Sequence, residues 1–303
     1  MLAIDGKPLD NSRQPYIIAE AASTHQHEKQ RAKDLVYAAA EAGADAIKFQ
    51  TYRPEELTTS TPLPDGSGRT LRDVLTGGLP REWHTELATL AHECGIAFLS
   101  TPFSTDAARF LVEQIHVPAL KIASGDLPFA PLLRYATETG LPLIISTGMA
   151  TLAEIQASVA SLLLPAYQGH RLVLLHCISA YPCAPATANL YALGTLKRWF
   201  PYAAIGWSDH TLSVEVIPAL AVALGASVIE KHFCLTDTDI TNMDAGHSLE
   251  PKEFARMVRT LRDVGQSLGD GVKQPQACEQ GDRLWARRGS DGLRPVDKVR
   301  AIP

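Results

Sequence analysis

The chain has 303 residues, 46% hydrophobic and 20% charged, the mix of a globular protein with a large core, and no stretch reaches the roughly 20 apolar residues of a membrane span. A formal net charge of −5, from 28 Lys+Arg against 33 Asp+Glu, leaves no basic stripe and argues against nucleic acid as a partner. Five cysteines at scattered spacings, with no Cys-x-x-Cys, argue against a disulfide framework or a thiolate zinc site, and an N-terminus without an apolar signal core reads as cytoplasmic.

Short β-branched runs recur at 16–21, 46–51, 96–102, 119–124, 142–147, 172–177, 203–209 and 228–233. The spacing predicts helices over 30–42, 80–94, 104–114, 128–140, 151–164, 189–200, 213–224 and 251–268, several closed by glycine, as at Gly43, Gly95, Gly140 and Gly225. Strands alternating with helices imply a parallel sheet, and eight such units in this length predict an α/β fold of the (β/α)8 TIM barrel type, one domain over 1–268. A doubly wound open sheet is the competitor, but no Gly-x-Gly-x-x-Gly turn follows the first strand. Two long loops interrupt the repeat, 52–79 as a candidate lid and 234–250 after the last strand, and 269–303 reads as a partly ordered C-terminal extension.

Barrel enzymes assemble their sites where strands run into the following loops, and nearly every such junction here is polar. In chain order they offer Glu20 with Ser23, Thr24 and His25; Lys48 and Gln50; Ser100 and Thr101; Lys121, Ser124 and Asp126; Ser146 and Thr147; His176 to Ser179 and Tyr181; Ser208, Asp209 and His210; and Glu230 and His232. Period-two alternation puts Glu230 on the inward face with His232. His210 and His232 close consecutive strands, whose ends lie about 5 Å apart in a parallel sheet, so together they can hold one metal ion. Two lysines with hydroxyls and a glycine turn on one rim make a cradle for a small phosphorylated anion. Taken singly each feature has a plainer reading: a core histidine, a lysine paired with a carboxylate, a Ser-Thr-Gly turn capping a helix. Their convergence on one rim favours chemistry.

The blocks Ala-Gly-Ala-Asp-Ala-Ile-Lys-Phe-Gln-Thr (42–51), Phe-Leu-Ser-Thr-Pro-Phe (98–103), Leu-Lys-Ile-Ala-Ser-Gly-Asp (120–126), Ile-Ser-Thr-Gly-Met (145–149), Trp-Ser-Asp-His-Thr (207–211), Ile-Glu-Lys-His-Phe (229–233) and Ser-Leu-Glu-Pro (248–251) follow one another in the order of the sialic acid synthase family. With Ile-Ile-Ala-Glu near the start and Leu-Leu-His-Cys at 174–177, the chain resembles that family over about residues 16–268. The resemblance implies a metal-dependent barrel, a homodimer, that condenses phosphoenolpyruvate with an N-acyl amino-sugar aldehyde, releases phosphate and makes a 2-keto-3-deoxy acid. It also implies that His210 and His232 hold a divalent ion, Mn²⁺ or Mg²⁺, and that Lys48, Thr101, Lys121, Ser124, Ser146, Ser179 and Ser208 surround phosphoenolpyruvate. Gln50, Tyr181 and Asp244 then line the acceptor side, with Glu20, Asp126 and His25 as catalytic groups.

The chain departs from the family pattern in four respects. After the first strand Thr24 stands for Asn, and Ala22 and His27 stand for glycines, which predicts a reshaped acceptor side. Asp126 replaces the usual Glu, and in the last loop Asp244-Ala-Gly-His247 keeps the carboxylate but moves or loses the imidazole that follows it in other members. The antifreeze-like domain that ends most bacterial members is missing from this sequence, so the expected acceptor is an unusual amino sugar or a shorter aldehyde rather than N-acetylmannosamine. Two alternatives stand beside the synthase: a lysine Schiff-base aldolase using Lys121 or Lys48, and a non-catalytic relative that binds a phosphorylated small molecule.

Overall fold

Eight parallel strands form one sheet in the computed structural model, which describes residues 2–9, 14–75, 77–160 and 171–296. They are β1 (Tyr16–Glu20), β2 (Ala46–Thr51), β3 (Ala97–Pro102), β4 (Leu120–Ile122), β5 (Leu143–Ser146), β6 (Leu172–Cys177), β7 (Ala204–Asp209) and β8 (Val228–His232). Hydrogen-bonded neighbours run β3-β2-β1-β8-β7-β6-β5-β4, so the last strand pairs with the first and the sheet curls into the expected (β/α)8 barrel. β3 and β4 lie side by side at the join without a ladder among the described residues.

Each strand is followed by a helix on the outer surface: α1 (Lys29–Glu41), α2 (His84–Glu93), α3 (Thr105–Phe110), α4 (Ala130–Glu138), α5 (Leu152–Ser158), α6 (Ala192–Trp199) and α7 (Val216–Ala223), with α8 (Pro251–Ser267) after β8 closing the ring. Local chemistry sets their ends. Thr151 and Glu154 form a reciprocal capping box on α5, Ser104 caps α3, and Gly43, Gly95, Gly140 and Gly225 stand just past α1, α2, α4 and α7 with positive φ. α2 is led in by a 3-10 turn, Arg81–Trp83, and α3 runs into a π-helical turn, Leu111–Ile115, stopped by His116 in the left-handed region. Ser124, expected as the last residue of the strand over 119–124, instead opens a 3-10 turn, Ser124–Asp126, which brings its hydroxyl over Gly148. The second half of the helix expected at 151–164 falls partly outside the described residues.

The period of two sorts each strand into an outer and an inner face. Outward residues such as Ile17, Ile47, Phe49, Ile145, Leu174, Trp207 and Ile229 pack under the helices, each large apolar one contributing about 1.5–3 kcal/mol by burial. Inward residues of the lower barrel, among them Ile18, Leu99, Ile144, Val173, Leu175 and Val228, form a second apolar cluster closed below by Ile4 and Leu9. Above that layer the inward positions turn polar, and the site begins there. The five cysteines are unpaired, and no helix among the described residues is long and apolar enough to cross a membrane. Residues Leu268–Pro303 separate as a second unit, with a short helix Gln280–Trp285 led in by a Gln276–Glu279 capping box.

Candidate active site

One inward layer gathers most of the strand-end residues. Lys48 of β2 lies 2.5 Å from Glu20 Oε2 of β1, donates to Thr101 Oγ1 of β3 at 3.0 Å, and stands 3.7 Å from Glu230 of β8. Across the mouth Lys121 of β4 donates to Ser146 Oγ of β5 at 2.7 Å and lies 3.6 Å from the other oxygen of Glu230, which also accepts from Ser208 of β7 at 3.1 Å. Gln50 donates to Glu20 Oε1 at 2.8 Å. Two ammonium groups and two carboxylates, all under 8% exposed, thus balance in charge around one mouth.

Burial and charge pull these groups apart in acidity. Burial, opposed by Lys48 and helped by the Glu230 charge, lifts the Glu20 carboxyl to about 7. Burial would lift Glu230 too, but Lys121 and Lys48 together hold it below the ordinary carboxylate value. For Lys48 burial is outweighed by the two carboxylates and its affinity for the proton rises, whereas burial wins at Lys121 and lowers it. Asp126, half-buried with a buried Oδ2 that lacks any hydrogen-bond partner, is lifted to about 6 by desolvation against the pull of Lys121.

Beside the lysines lies a cradle of hydroxyls. The Gly148 amide donates to Ser124 Oγ at 3.0 Å, and Ser124 Oγ lies 3.2 Å from Cys177 Sγ. A Cβ on Gly148 would stand 2.9 Å from both Ser124 Oγ and Cys177 Sγ and closer still to Ser179 Oγ, so only glycine leaves these three polar tips room to converge on a guest. Cys177 was not singled out in the sequence, although its inward parity with Leu175 placed it here.

On the other side of the mouth three imidazoles meet. The rings of His210 and His232 are 5.5 Å apart, as the adjacent strand ends required, and Tyr181 lies over His210 at 4.2 Å. His247 stands 4.3 Å from the His232 ring and 5.0 Å from Tyr181. The imidazole expected to have moved or been lost has therefore moved: it returns to the site from three residues after Asp244, because Ala245–His247 is a 3-10 turn in which residues three apart eclipse. Nothing periodic in the 234–250 loop announced it. Burial and neighbouring imidazoles push His232 well below its ordinary value, and burial takes His247 to about 4 and lowers His210, so all three are neutral and able to bind a cation. His232 Nδ1 and His247 Nε2 are buried without hydrogen-bond partners, and with Asp244 they form a group whose donor atoms lie within 4.8 Å of one another. His210 gives Nδ1 to the Ile178 carbonyl at 2.7 Å, which leaves Nε2 for a ligand. These residues fit a divalent ion.

His25 is not brought to this mouth. Its ring packs against Phe49 and Trp83, on the outer side of β2, and Nε2 bonds the Gly77 carbonyl at 3.2 Å. Ala22 and His27, where the family carries glycine, keep the left-handed backbone at φ 43° and 57°, and this tight turn carries His25 over the strand instead of into the barrel. Thr24 is spent on the Ala21 and Phe233 carbonyls. Ser23 binds Asp244 through both its amide and its hydroxyl, and Gly77 sits so close to Ser23 that a Cβ there would collide with it. The loops after β1, β2 and β8 are thereby interlocked at the rim.

With this geometry in view, the chain was compared with known proteins. The NeuB family model matches residues 35–273. The chain belongs to the NeuB family. It is 40% identical over 296 residues to the N,N'-diacetyllegionaminic acid synthase of Legionella pneumophila, covering 93% of this chain and 81% of that one. It is 35% identical over 283 residues to the pseudaminic acid synthase of Helicobacter pylori, covering 90% and 81%. The N-acetylneuraminic acid (sialic acid) synthetase of Leptospira borgpetersenii, solved with citrate, superposes with a TM-score of 0.79 at 35% identity over 89% of this chain and 90% of that one. These three relatives are named as synthases of legionaminic, pseudaminic and sialic acids, and this chain is an enzyme of the same family.

Proposed function

We propose that the barrel mouth condenses phosphoenolpyruvate with an N-acylated amino-sugar aldehyde to give a 2-keto-3-deoxy sugar acid and inorganic phosphate. The observation that carries the reading is the buried, charge-balanced set Lys48–Glu20–Glu230–Lys121 with a hydroxyl cradle on one side and three neutral imidazoles on the other.

Lys48 and Lys121 neutralise the donor's carboxylate and phosphate, and the Ser124, Ser146, Ser179 and Thr101 hydroxyls supply its directional hydrogen bonds. The site would hold a divalent cation on His210, His232 and the Asp244–His247 turn, and a bound ion of this kind polarises an aldehyde oxygen. C3 of the donor forms the new carbon–carbon bond, leaving positive character at C2 beside the carboxylates of Glu20 and Glu230. Water adds at C2 and gives its proton to Glu20, whose value near 7 suits a general base at neutral pH, and Glu20 is regenerated as that proton passes on to the acceptor's former aldehyde oxygen, which becomes a hydroxyl. The C2–O bond to phosphate then breaks, phosphate leaves with the electron pair and the remaining hydroxyl proton, and C2 becomes the ketone. Asp126 and Gln50 orient these groups, Tyr181 and Asp244 face the acceptor, and His25 acts only by pinning the loop at Gly77. The reading includes manganese or magnesium as the ion and a cytoplasmic homodimer, on the family resemblance.

The test is phosphate release from phosphoenolpyruvate with a panel of mono- and diacetamido-hexoses, with and without added divalent ion. Release that requires both an acceptor and the donor supports the reading; none with any acceptor, despite donor binding in a thermal-shift assay, refutes it and leaves the binding-only alternative. The Schiff-base alternative rests on Lys121, whose proton affinity burial lowers, but Ser146 and Glu230 already engage its ammonium. Borohydride trapping of a substrate adduct on Lys121 would establish that alternative.

A further inference from the structure

The Asp244–His247 turn has a feature that the strand-end histidines alone do not explain. His232 Nδ1 lies 3.8 Å and His247 Nε2 3.7 Å from the same oxygen, Asp244 Oδ1. Both separations exceed the roughly 3.2 Å limit of an N–H···O bond, yet both nitrogens are buried and without partners. An unpaired buried nitrogen is costly, and a direct bond to the carboxylate would have relieved it. Donors at about 2.0–2.2 Å from one metal ion stand roughly 3–4.3 Å apart, which is the spacing found. The carboxylate is also prepared for it: Oδ2 accepts from the Ser23 amide at 3.0 Å and from the Ser23 hydroxyl, which fixes the group and leaves Oδ1 turned to the two imidazoles. The His247 side chain is 4% exposed and His232 9%, so the three donors face a closed space.

We propose that the loop after β8 supplies two direct metal ligands, His247 Nε2 and Asp244 Oδ1, in addition to His232 and His210. This rests on the cation assigned to the site above and goes beyond it by setting the ion's selectivity. Three imidazoles and one carboxylate form a nitrogen-rich set, and such sets follow the order in which the later first-row ions bind more tightly, while Mg²⁺ prefers oxygen and water. The site therefore takes a transition ion of the Mn²⁺ to Zn²⁺ range, which narrows the manganese-or-magnesium reading, and discriminates against Mg²⁺.

The experiment uses the full chain without phosphoenolpyruvate or acceptor, so it is independent of turnover. Co²⁺ binding is followed by its visible absorption and by competition with a chromophoric chelator, for the unmodified protein, His247→Gln and Asp244→Asn. The expected result is that each variant loses at least the roughly 10- to 100-fold in affinity that even an outer-shell change costs, with an altered Co²⁺ band and Mg²⁺ failing to displace Co²⁺ from the unmodified protein. Equal affinity and an identical spectrum in His247→Gln, or displacement by Mg²⁺ at comparable concentration, overturns the proposal. Should a variant unfold, ¹⁵N-histidine resonances of the unmodified protein titrated with Zn²⁺ decide: three shifted imidazoles support it and two refute it. A three-imidazole site with no phosphate release would refute the condensation reading and leave this one standing.

Discussion

Replacing Lys48 by methionine tests the charge balance of the barrel mouth. The substitution keeps much of the buried stem and removes the ammonium that lies 2.5 Å from Glu20 and 3.7 Å from Glu230, leaving Lys121 alone against two carboxylates. Breaking a buried ion pair on one side costs about 3–5 kcal/mol. Glu20 already sits near 7, so at pH 7 it can take a proton at little cost, and the loss falls at the lower end, about 3 kcal/mol. At the roughly 2–4 °C per kcal/mol of a large domain, Tm drops by about 6–12 °C. At pH 9 Glu20 can no longer be neutralised cheaply and the deficit grows. Adding Glu20→Gln restores a one-to-one balance between Lys121 and Glu230, so the double variant is more stable than Lys48→Met alone, with a favourable coupling of about 0.5–3 kcal/mol. Thermal and urea denaturation of the four proteins at pH 7 and 9 close the cycle. A Lys48→Met protein within 1–2 °C of the parent, or a double variant whose losses simply add, would refute the reasoning; on the roughly 2–4 °C per kcal/mol scale such a shift is less than one kcal/mol.

The remaining expectations concern the cradle, the base and the loops. Gly148→Ala places a methyl among Ser124, Cys177 and Ser179, so the fold persists but phosphoenolpyruvate no longer raises Tm; an undiminished thermal shift would locate the donor elsewhere. Because Glu20 must be ionised to accept a proton, kcat/KM rises with pH through about 7, and Glu20→Gln is slow and lacks that limb. The linked stability runs the opposite way: with its value raised from 4.5 to about 7 in the fold, Glu20 favours the native state below 4.5 and that contribution is lost as pH climbs through 7, a slope that Glu20→Gln removes in denaturation curves. Gly77→Ala forces the second loop off Ser23, and the expected effect is a raised KM for the aldehyde with donor binding unchanged; equal KM values would uncouple that loop from the acceptor.

Local pattern and strand parity made most of the barrel legible. Runs such as Ala46–Thr51 and Val228–His232 carry both the β-branched signal and the alternation that decides which side chains reach the interior, so the sequence alone places Glu230 inward with His232. The pairing of His210 with His232 followed from strand adjacency alone. What stayed hidden depends on irregular backbone. His247 joins the mouth through a single 3-10 turn in a loop with no period, and His25 leaves it because Ala22 takes a left-handed conformation that a side chain ordinarily disfavours. Both outcomes are decided by one or two dihedral angles, which composition and periodicity do not encode.

Among the described residues the barrel has one join without a ladder, and Lys121 rides on it. β4 is three residues long and is laddered only to β5, so Lys121 is anchored on one flank by backbone and otherwise by what its ammonium grips, Ser146 and Glu230. A staved cask that opens a little does so along its loose seam, and here the seam carries one of the two lysines proposed to meet the phosphorylated donor. Lys48, stitched between β1 and β3, is held from both flanks, whereas Lys121 takes its second hold from Ser146 and Glu230.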